Sequence, residues 1–132
     1  MAISFDNALG VHEQALKLRV KRAEVLSSNL ANADTPGYKA RDFDFQQALA
    51  SQMGGGKNGT IKTTHSGHIG GGDAFGGIEM QYRVPMQPSI DGNTVEEQVE
   101  QAEFTKNSLE FQASFTFLNS RFTGIKKALT GE

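Results

Sequence analysis

Ten of the 15 glycines fall between Gly54 and Gly77, and this cluster divides the chain into parts with different capacities to fold. Glycine loses more backbone freedom on ordering than any other residue, so such a tract is a poor place to build a packed core. The apolar side chains run the opposite way. Of the 30 Leu, Ile, Val and Phe residues, 21 lie in the 75 positions of residues 1–35 and 93–132, and nine in the 57 positions between them. This distribution predicts a mainly α protein. Its expected form is an antiparallel coiled-coil pair of long N- and C-terminal helices around an irregular middle segment that holds a short helix and a short β strand or hairpin. The expected organisation is a discontinuous helical domain, 1–35 with 93–132, and a middle segment, 36–92, with a flexible Gly-rich loop over 54–77.

The first helix is expected from Ser4 to about Asn32, where there is no proline and only one glycine, Gly10. Some 28 residues at 1.5 Å each span roughly 42 Å. Phe5, Leu9, His12, Leu16, Val20, Ala23 and Leu30 share one arc of that helix, while Val11, Leu18 and Val25 lie about 160–200° away. The last helix is expected from Val95 to near Thr130, with Thr94 as N-cap and Glu97 completing a capping box. Its Phe104, Ser108, Phe111, Phe115, Leu118, Phe122, Ile125 and Leu129 follow the alternating four-three spacing of a coiled-coil seam. A second stripe, Val95, Val99, Ala102, Leu109, Ala113 and Phe117, occupies another face. The first stripe of each helix is expected to pair with the other. The second stripes are expected to pack between molecules, because large exposed apolar patches mark interaction sites.

Between the helices, Asn32 to Tyr38 reads as a turn: Pro36 drives Thr35 extended and Gly37 permits positive φ. Asp42 or Asp44 is suited to cap a short helix through Gln46, Ala48, Leu49 and Ala50, and Ile78, Met80, Tyr82 and Val84 alternate with polar residues as a half-exposed strand ended by Pro85.

Candidate chemistry is sparse. There is no cysteine, which excludes disulfides, thiolate metal sites and cysteine nucleophiles. Thirteen Lys and Arg against 15 Asp and Glu leave a net charge of −2, with no basic footprint for nucleic acid and no polybasic membrane patch. No apolar run approaches the roughly 18 residues of a membrane span, so no direct membrane insertion is expected. His65 and His68 sit in a glycine-rich loop and read better as solvated residues than as metal ligands. No cofactor, metal or catalytic residue is expected, and the chain does not read as an enzyme.

The run Ser27-Ser28-Asn29-Leu30-Ala31-Asn32-Ala33-Asp34-Thr35-Pro36-Gly37-Tyr38-Lys39, at the end of an N-terminal helix, resembles the signature of bacterial flagellar rod and hook proteins. Within that family Asp34, the following Ala40-Arg41-Asp42-Phe43 and the Asp91-Gly92-Asn93-Thr94-Val95 lead into the last helix are similar to the proximal rod subunits. The resemblance implies a structural subunit whose terminal helices pair, then pack with other rod subunits and copies of the chain into a helical tube. That tube surrounds the export channel and transmits torque. It also implies an adaptor joining the rod to the MS ring as a partner, and passage through the flagellar type III export apparatus without a cleaved signal peptide into a periplasm-spanning rod. Ser28, Asn29, Leu30, Ala31, Asn32, Asp34, Thr35, Pro36, Gly37 and Tyr38 are its motif residues; Pro36 and Gly37 are expected to turn the chain, and Asn29 and Asn32 to satisfy the helix-terminal carbonyls. Leu9, Leu16, Leu18, Val25, Leu30, Phe104, Phe111, Phe115, Phe117, Leu118, Phe122, Ile125 and Leu129 are the candidate assembly and packing residues. Another flagellar axial subunit, or a helical export chaperone or binding module, is the alternative.

Overall fold

The computed structural model describes residues 5–54 and 78–131. The glycine tract beyond Gly54, with His65 and His68, and the side chain of Phe5 lie outside the described residues. Five elements follow in order: α1 (Phe5–Ala31), β1 (Arg41–Asp42), α2 (Phe45–Met53), β2 (Gln81–Tyr82) and α3 (Glu97–Thr130). At 1.5 Å per residue α1 is about 40 Å long and α3 about 50 Å. The two run antiparallel, since Arg19, Arg22 and Asn29 on α1 meet Glu110, Glu103 and Glu100 on α3.

The polar contacts between the helices fall beside the expected apolar faces. Along α3 the polar contacts to α1 come from Glu100, Glu103, Asn107 and Glu110, a stripe at three-four-three spacing. The aromatic seam of Phe104, Phe111, Leu118 and Ile125 is rotated from it by roughly 50° and is only half-buried. On the same seam Phe115 is 57% exposed, and Phe122 and Leu129 are exposed too. The α1 stripe behaves likewise: Leu9 is buried, Leu16, Ala23 and Leu30 are half-buried, and Val20 is exposed. Residues of both first stripes line a groove bounded by Val20, Ala23, Ser108 and Phe111 and about 350 Å³ in volume. The physical reason is charge. Arg19, Arg22 and Asn29 stand between the two apolar stripes of α1, and the acidic stripe of α3 satisfies them.

The second stripe of α1 also departs from expectation. Leu18 (2% exposed) and Val25 (4%) do not await another molecule: they form the core with Phe43, Ala48 and Ile78, flanked by Phe45, Leu49 and Met80. Val11, which lies beyond the reach of this cover, remains exposed. The short β1–β2 sheet, antiparallel with Arg41 opposite Tyr82 and Asp42 opposite Gln81, brings Ile78 and Met80 onto that core. Of the four alternating apolar residues expected in a strand, Ile78 is buried and Met80 half-buried, while Tyr82 and Val84 point outward. Asp44 caps α2, accepting from the Gln47 amide at 3.1 Å; Asp42, the other candidate, is engaged by two arginines. Of the second stripe of α3, Val95 and Val99 are half-buried, while Phe117 is 62% exposed and Ala102, Leu109 and Ala113 are exposed as well. Among the described residues no helix is long and apolar enough to cross a membrane.

Candidate functional site

The motif segment after α1 folds as a turn that the 89–95 loop clasps from the other side. Gly37 takes a φ of 72°, and its amide donates to the Asp91 carbonyl at 2.9 Å. The Thr94 amide donates to the Tyr38 carbonyl at 3.0 Å, and the Lys39 ammonium to the Gly92 carbonyl at 2.7 Å. Gly92, at φ 76°, lies close enough that a Cβ there would sit 3.8 Å from the Gly37 Cα. The two glycines thus let two loops close on each other.

Thr94 does not cap α3. Its hydroxyl accepts from the Ala40 amide at 2.8 Å, so it serves the clasp, and the helix begins two residues later than expected, at Glu97, without a side-chain cap. Asn93 is buried, and its Nδ2 lies 2.9, 2.8 and 2.9 Å from the carbonyls of Asn32, Ala33 and Thr35. One side chain therefore serves the carbonyls released where α1 ends. Its Oδ1 accepts from the Val95 amide at 2.8 Å. A hydrogen bond from Ser89 and a second from the Asn93 amide hold the Asp91 carboxyl below its usual range.

Asn32 acts as expected, donating to the Ser28 carbonyl at 2.8 Å. Asn29 does not. It is fully buried, donates to the Arg41 carbonyl at 2.7 Å and accepts from the Arg41 amide at 3.1 Å, which fastens β1 to α1. Its amide also donates to Glu100 at 3.1 Å, while the Tyr38 hydroxyl stands 3.3 Å from Ser28 Oγ.

Below the clasp, five charged side chains alternate in sign. Arg22 grips Asp42 with two hydrogen bonds, 3.1 and 2.9 Å, and donates to Glu103 at 2.7 Å. Arg83 donates to Asp42 at 2.7 Å and sets its Nε 3.2 Å from the buried Glu100 carboxylate. These groups tie α1, β1, the residue that follows β2 and α3 together. Burial pushes the Glu100 carboxyl up, against the lowering effects of Asn29 and Arg83. The Asp42 hydrogen bond raises the Arg22 guanidinium above its ordinary value. One turn further, Arg19 pairs with Glu110 and stacks 3.6 Å over the Phe45 ring, and Asn107 donates to the Arg19 carbonyl at 2.9 Å. Burial lowers the Arg19 guanidinium, opposed by Glu110. His12 stacks on Phe117, with ring centroids 6.3 Å apart.

This arrangement ties the elements together through paired charges, while Arg19 Nε and Asn107 Oδ1 are buried without a hydrogen-bond partner. Among the described residues no group of histidine and carboxylate side chains could hold a metal ion. Asn93 and the five-charge chain escape a reading that follows apolar periodicity alone. Their signal is the polar one: Glu100, Glu103, Asn107 and Glu110 repeat at helical spacing opposite Arg19, Arg22 and Asn29.

The clasped turn and the helix leading into it coincide with a known family. The family model described as flagella basal body rod protein matches residues 9–39. Over the whole chain, the flagellar basal body rod protein FlgB of Aeromonas hydrophila is 54% identical, covering 100% of this chain and 99% of the relative. The chain belongs to the FlgB family of flagellar basal body rod proteins. The FlgB of Cereibacter sphaeroides is 50% identical over 97% of the chain and 98% of the relative, and that of Salmonella typhimurium 43% identical over 96% and 95%. The match with the family model ends at Lys39, just short of the strand that Asn29 fastens to α1.

Proposed function

We propose that the chain is a non-catalytic structural subunit of the proximal flagellar rod, assembling with other basal body components into a helical tube that surrounds the export channel and transmits torque. The supporting observation is the open apolar surface that remains after the chain has packed on itself: Leu109, Ala113 and Phe117 on one side of α3, and Phe115, Phe122 and Leu129 on another. Two sticky faces on one helix, about 160° apart, allow unlike contacts that do not close into a ring, which is the condition for an open helical assembly. The groove bounded by Val20, Ala23, Ser108 and Phe111 accepts a further helix from a copy or from a neighbouring rod subunit. The adaptor joining the rod to the MS ring and the type III export apparatus are the remaining partners in this reading.

The test is Leu109→Asp, at a position 62% exposed and outside the core cluster. The variant is expected to fold as the parent does, to be expressed and exported, and to leave cells without rods. Normal swimming with the variant present in purified basal bodies would show that this face is not an assembly surface. A chaperone, by contrast, would stay in the cytoplasm and never appear in basal bodies.

A further inference from the structure

The clasp turns on one peptide link, Asp91-Gly92. The Asp91 carbonyl accepts from the Gly37 amide at 2.9 Å, the Gly92 carbonyl from the Lys39 ammonium at 2.7 Å, and the Gly92 amide donates to the Ser89 carbonyl at 3.2 Å. The Asp91 carboxylate is held as well, its Oδ1 accepting from the Ser89 hydroxyl and, at 3.0 Å, from the Asn93 amide. Both carbonyls, the amide between them and one carboxylate oxygen are therefore committed.

An aspartate followed by glycine is chemically labile. The amide nitrogen of the glycine can attack the side-chain carboxyl carbon and close a five-membered succinimide, and with no Cβ a glycine leaves that nitrogen open to the reaction. Here the bond formed is Gly92 N to Asp91 Cγ. The carboxyl hydroxyl leaves with the amide proton as one water. A water then reopens the ring at either carbonyl. Opening at Cγ restores aspartate, whereas opening at the backbone carbonyl leaves the chain running through Cβ and Cγ, an isoaspartate. Water is released and taken up again, so the change is an isomerisation that needs no oxidant, cofactor or partner.

The clasp opposes each requirement of ring closure. The attacking nitrogen must swing onto Cγ, but its N–H is engaged by Ser89 and the peptide plane is fixed from the other side by Gly37 and Lys39. The carboxyl must be protonated to lose water, but Ser89 and the Asn93 amide favour the ionised form. Once made, the product is incompatible with the clasp. The carbonyl that Gly37 uses becomes a free carboxylate, and the main chain gains one carbon, about 1.5 Å of path, immediately before Gly92 and Asn93. Asn93 Nδ2 holds three carbonyls at 2.9, 2.8 and 2.9 Å, and a displacement of that size exceeds what a hydrogen bond tolerates.

We propose that Asp91-Gly92 is a latent modification site: closed to isomerisation while residues 89–95 clasp the motif turn, open when the chain is unclasped, and a bar to reclasping once isoaspartate has formed. The site records time spent unclasped, and it does so independently of what the chain assembles with. A reaction confined to the open form proceeds in proportion to the open population, so its rate in the folded chain reports the opening of the clasp.

The experiment ages the full chain at neutral pH, folded in buffer and unfolded in concentrated urea. Trypsin then releases residues 84–106 as one peptide, separate from Asn58-Gly59, the other succinimide-prone pair. Isoaspartate at 91 is read by methyl labelling with protein isoaspartyl methyltransferase and by fragmentation, because its mass equals that of aspartate. It is expected to accumulate at least about tenfold faster in the unfolded chain, the factor that each 1.4 kcal/mol of opening free energy supplies. Folded Asn93→Ala should move toward the unfolded rate. Should that variant fail to fold, Ser89→Ala, at an exposed position, frees the carboxylate alone and should still raise the folded rate. Aged chains separated from the parent should show rapid amide exchange at Gly37 and Thr94 after return to buffer. Equal rates in the folded and unfolded parent, no isoaspartate at 91 in either, or a Ser89→Ala rate no higher than the parent's would overturn the protected site. Parent-like exchange in isoaspartate-containing chains would overturn the bar to reclasping.

Discussion

At one end of the helix pair, Arg19, Arg22 and Asn29 of α1 are matched one by one with Glu110, Glu103 and Glu100 of α3, and the middle segment is fastened over them. At the other end, from Phe111 to Thr130, α3 carries most of the exposed aromatic surface among the described residues, and there His12 of α1 stacks on Phe117. Ion pairs and a small apolar core together hold the first end, and apolar groups are left over at the second. The difference follows from how each interaction fails: a buried ion without its partner is strongly destabilising, so such a network admits one register, whereas an apolar stripe tolerates many partners. A subunit built this way has one end that fixes its own shape and another whose surface remains for neighbours.

The sharpest way to break this contrast is a charge in the clasped half. Leu18→Asp places a carboxylate where Phe43, Ala48 and Ile78 leave no acceptor of charge, and should destabilise the chain by several kcal/mol, enough to unfold a small domain. Phe122→Asp, in the open half, should shift stability by less than about 0.5 kcal/mol. Urea unfolding followed by circular dichroism compares them directly, and equal losses in the two variants would abolish the distinction between the halves.

Asp42→Ala probes the ion chain with a smaller expected effect. It leaves Arg22 and Arg83, each nearly buried, without their shared carboxylate, at a cost of about 3 kcal/mol. The double variant Asp42→Ala, Arg22→Ala should recover part of that loss in a double-mutant cycle; strictly additive losses would mean that the pair is not coupled. Asn93→Ala comes next. It strips three carbonyls of their shared donor and should cost about 2 kcal/mol, with amide exchange accelerated at Gly37 and Thr94 before the helix centres respond.

The same contrast explains which features were legible in the sequence. The long helices, the motif turn with Gly37 at positive φ and the end of α3 at Thr130 follow from local chemistry: helix formers, a proline, and glycine past the C-terminus. Their partners do not, because partner choice depends on groups far apart in sequence. Leu18 and Val25 repeat every seven residues, as a seam for another molecule would, yet Phe43 and Ile78 cover them, residues whose own patterns are too short to announce it. Thr94 followed by Glu97 has the spacing of a capping box, but the Ala40 amide, 54 residues away, takes the hydroxyl. The polar stripe on α3 was visible in principle; an eye trained on apolar spacing passes over Glu100, Glu103, Asn107 and Glu110, although polar residues at helical period opposite arginines are equally periodic.

The finest test concerns Glu100, the one carboxylate fully buried in the clasped half. Burial raises its folded-state value above the ordinary 4.5, with Asn29 and Arg83 pulling the other way. For a carboxyl raised in the folded state, the sign is fixed by proton uptake: between the two values the folded chain binds more protons than the unfolded one, so the contribution to stability is fully present below 4.5 and is lost as pH rises through the folded value. Glu100→Gln keeps the shape and an oxygen for Asn29 but does not titrate. Urea unfolding from pH 4 to pH 7 should therefore show the parent losing stability relative to this variant as pH rises. A parent that gains on the Glu100→Gln variant with rising pH would mean that Arg83 outweighs burial, and that the clasp draws net strength from an ionised Glu100.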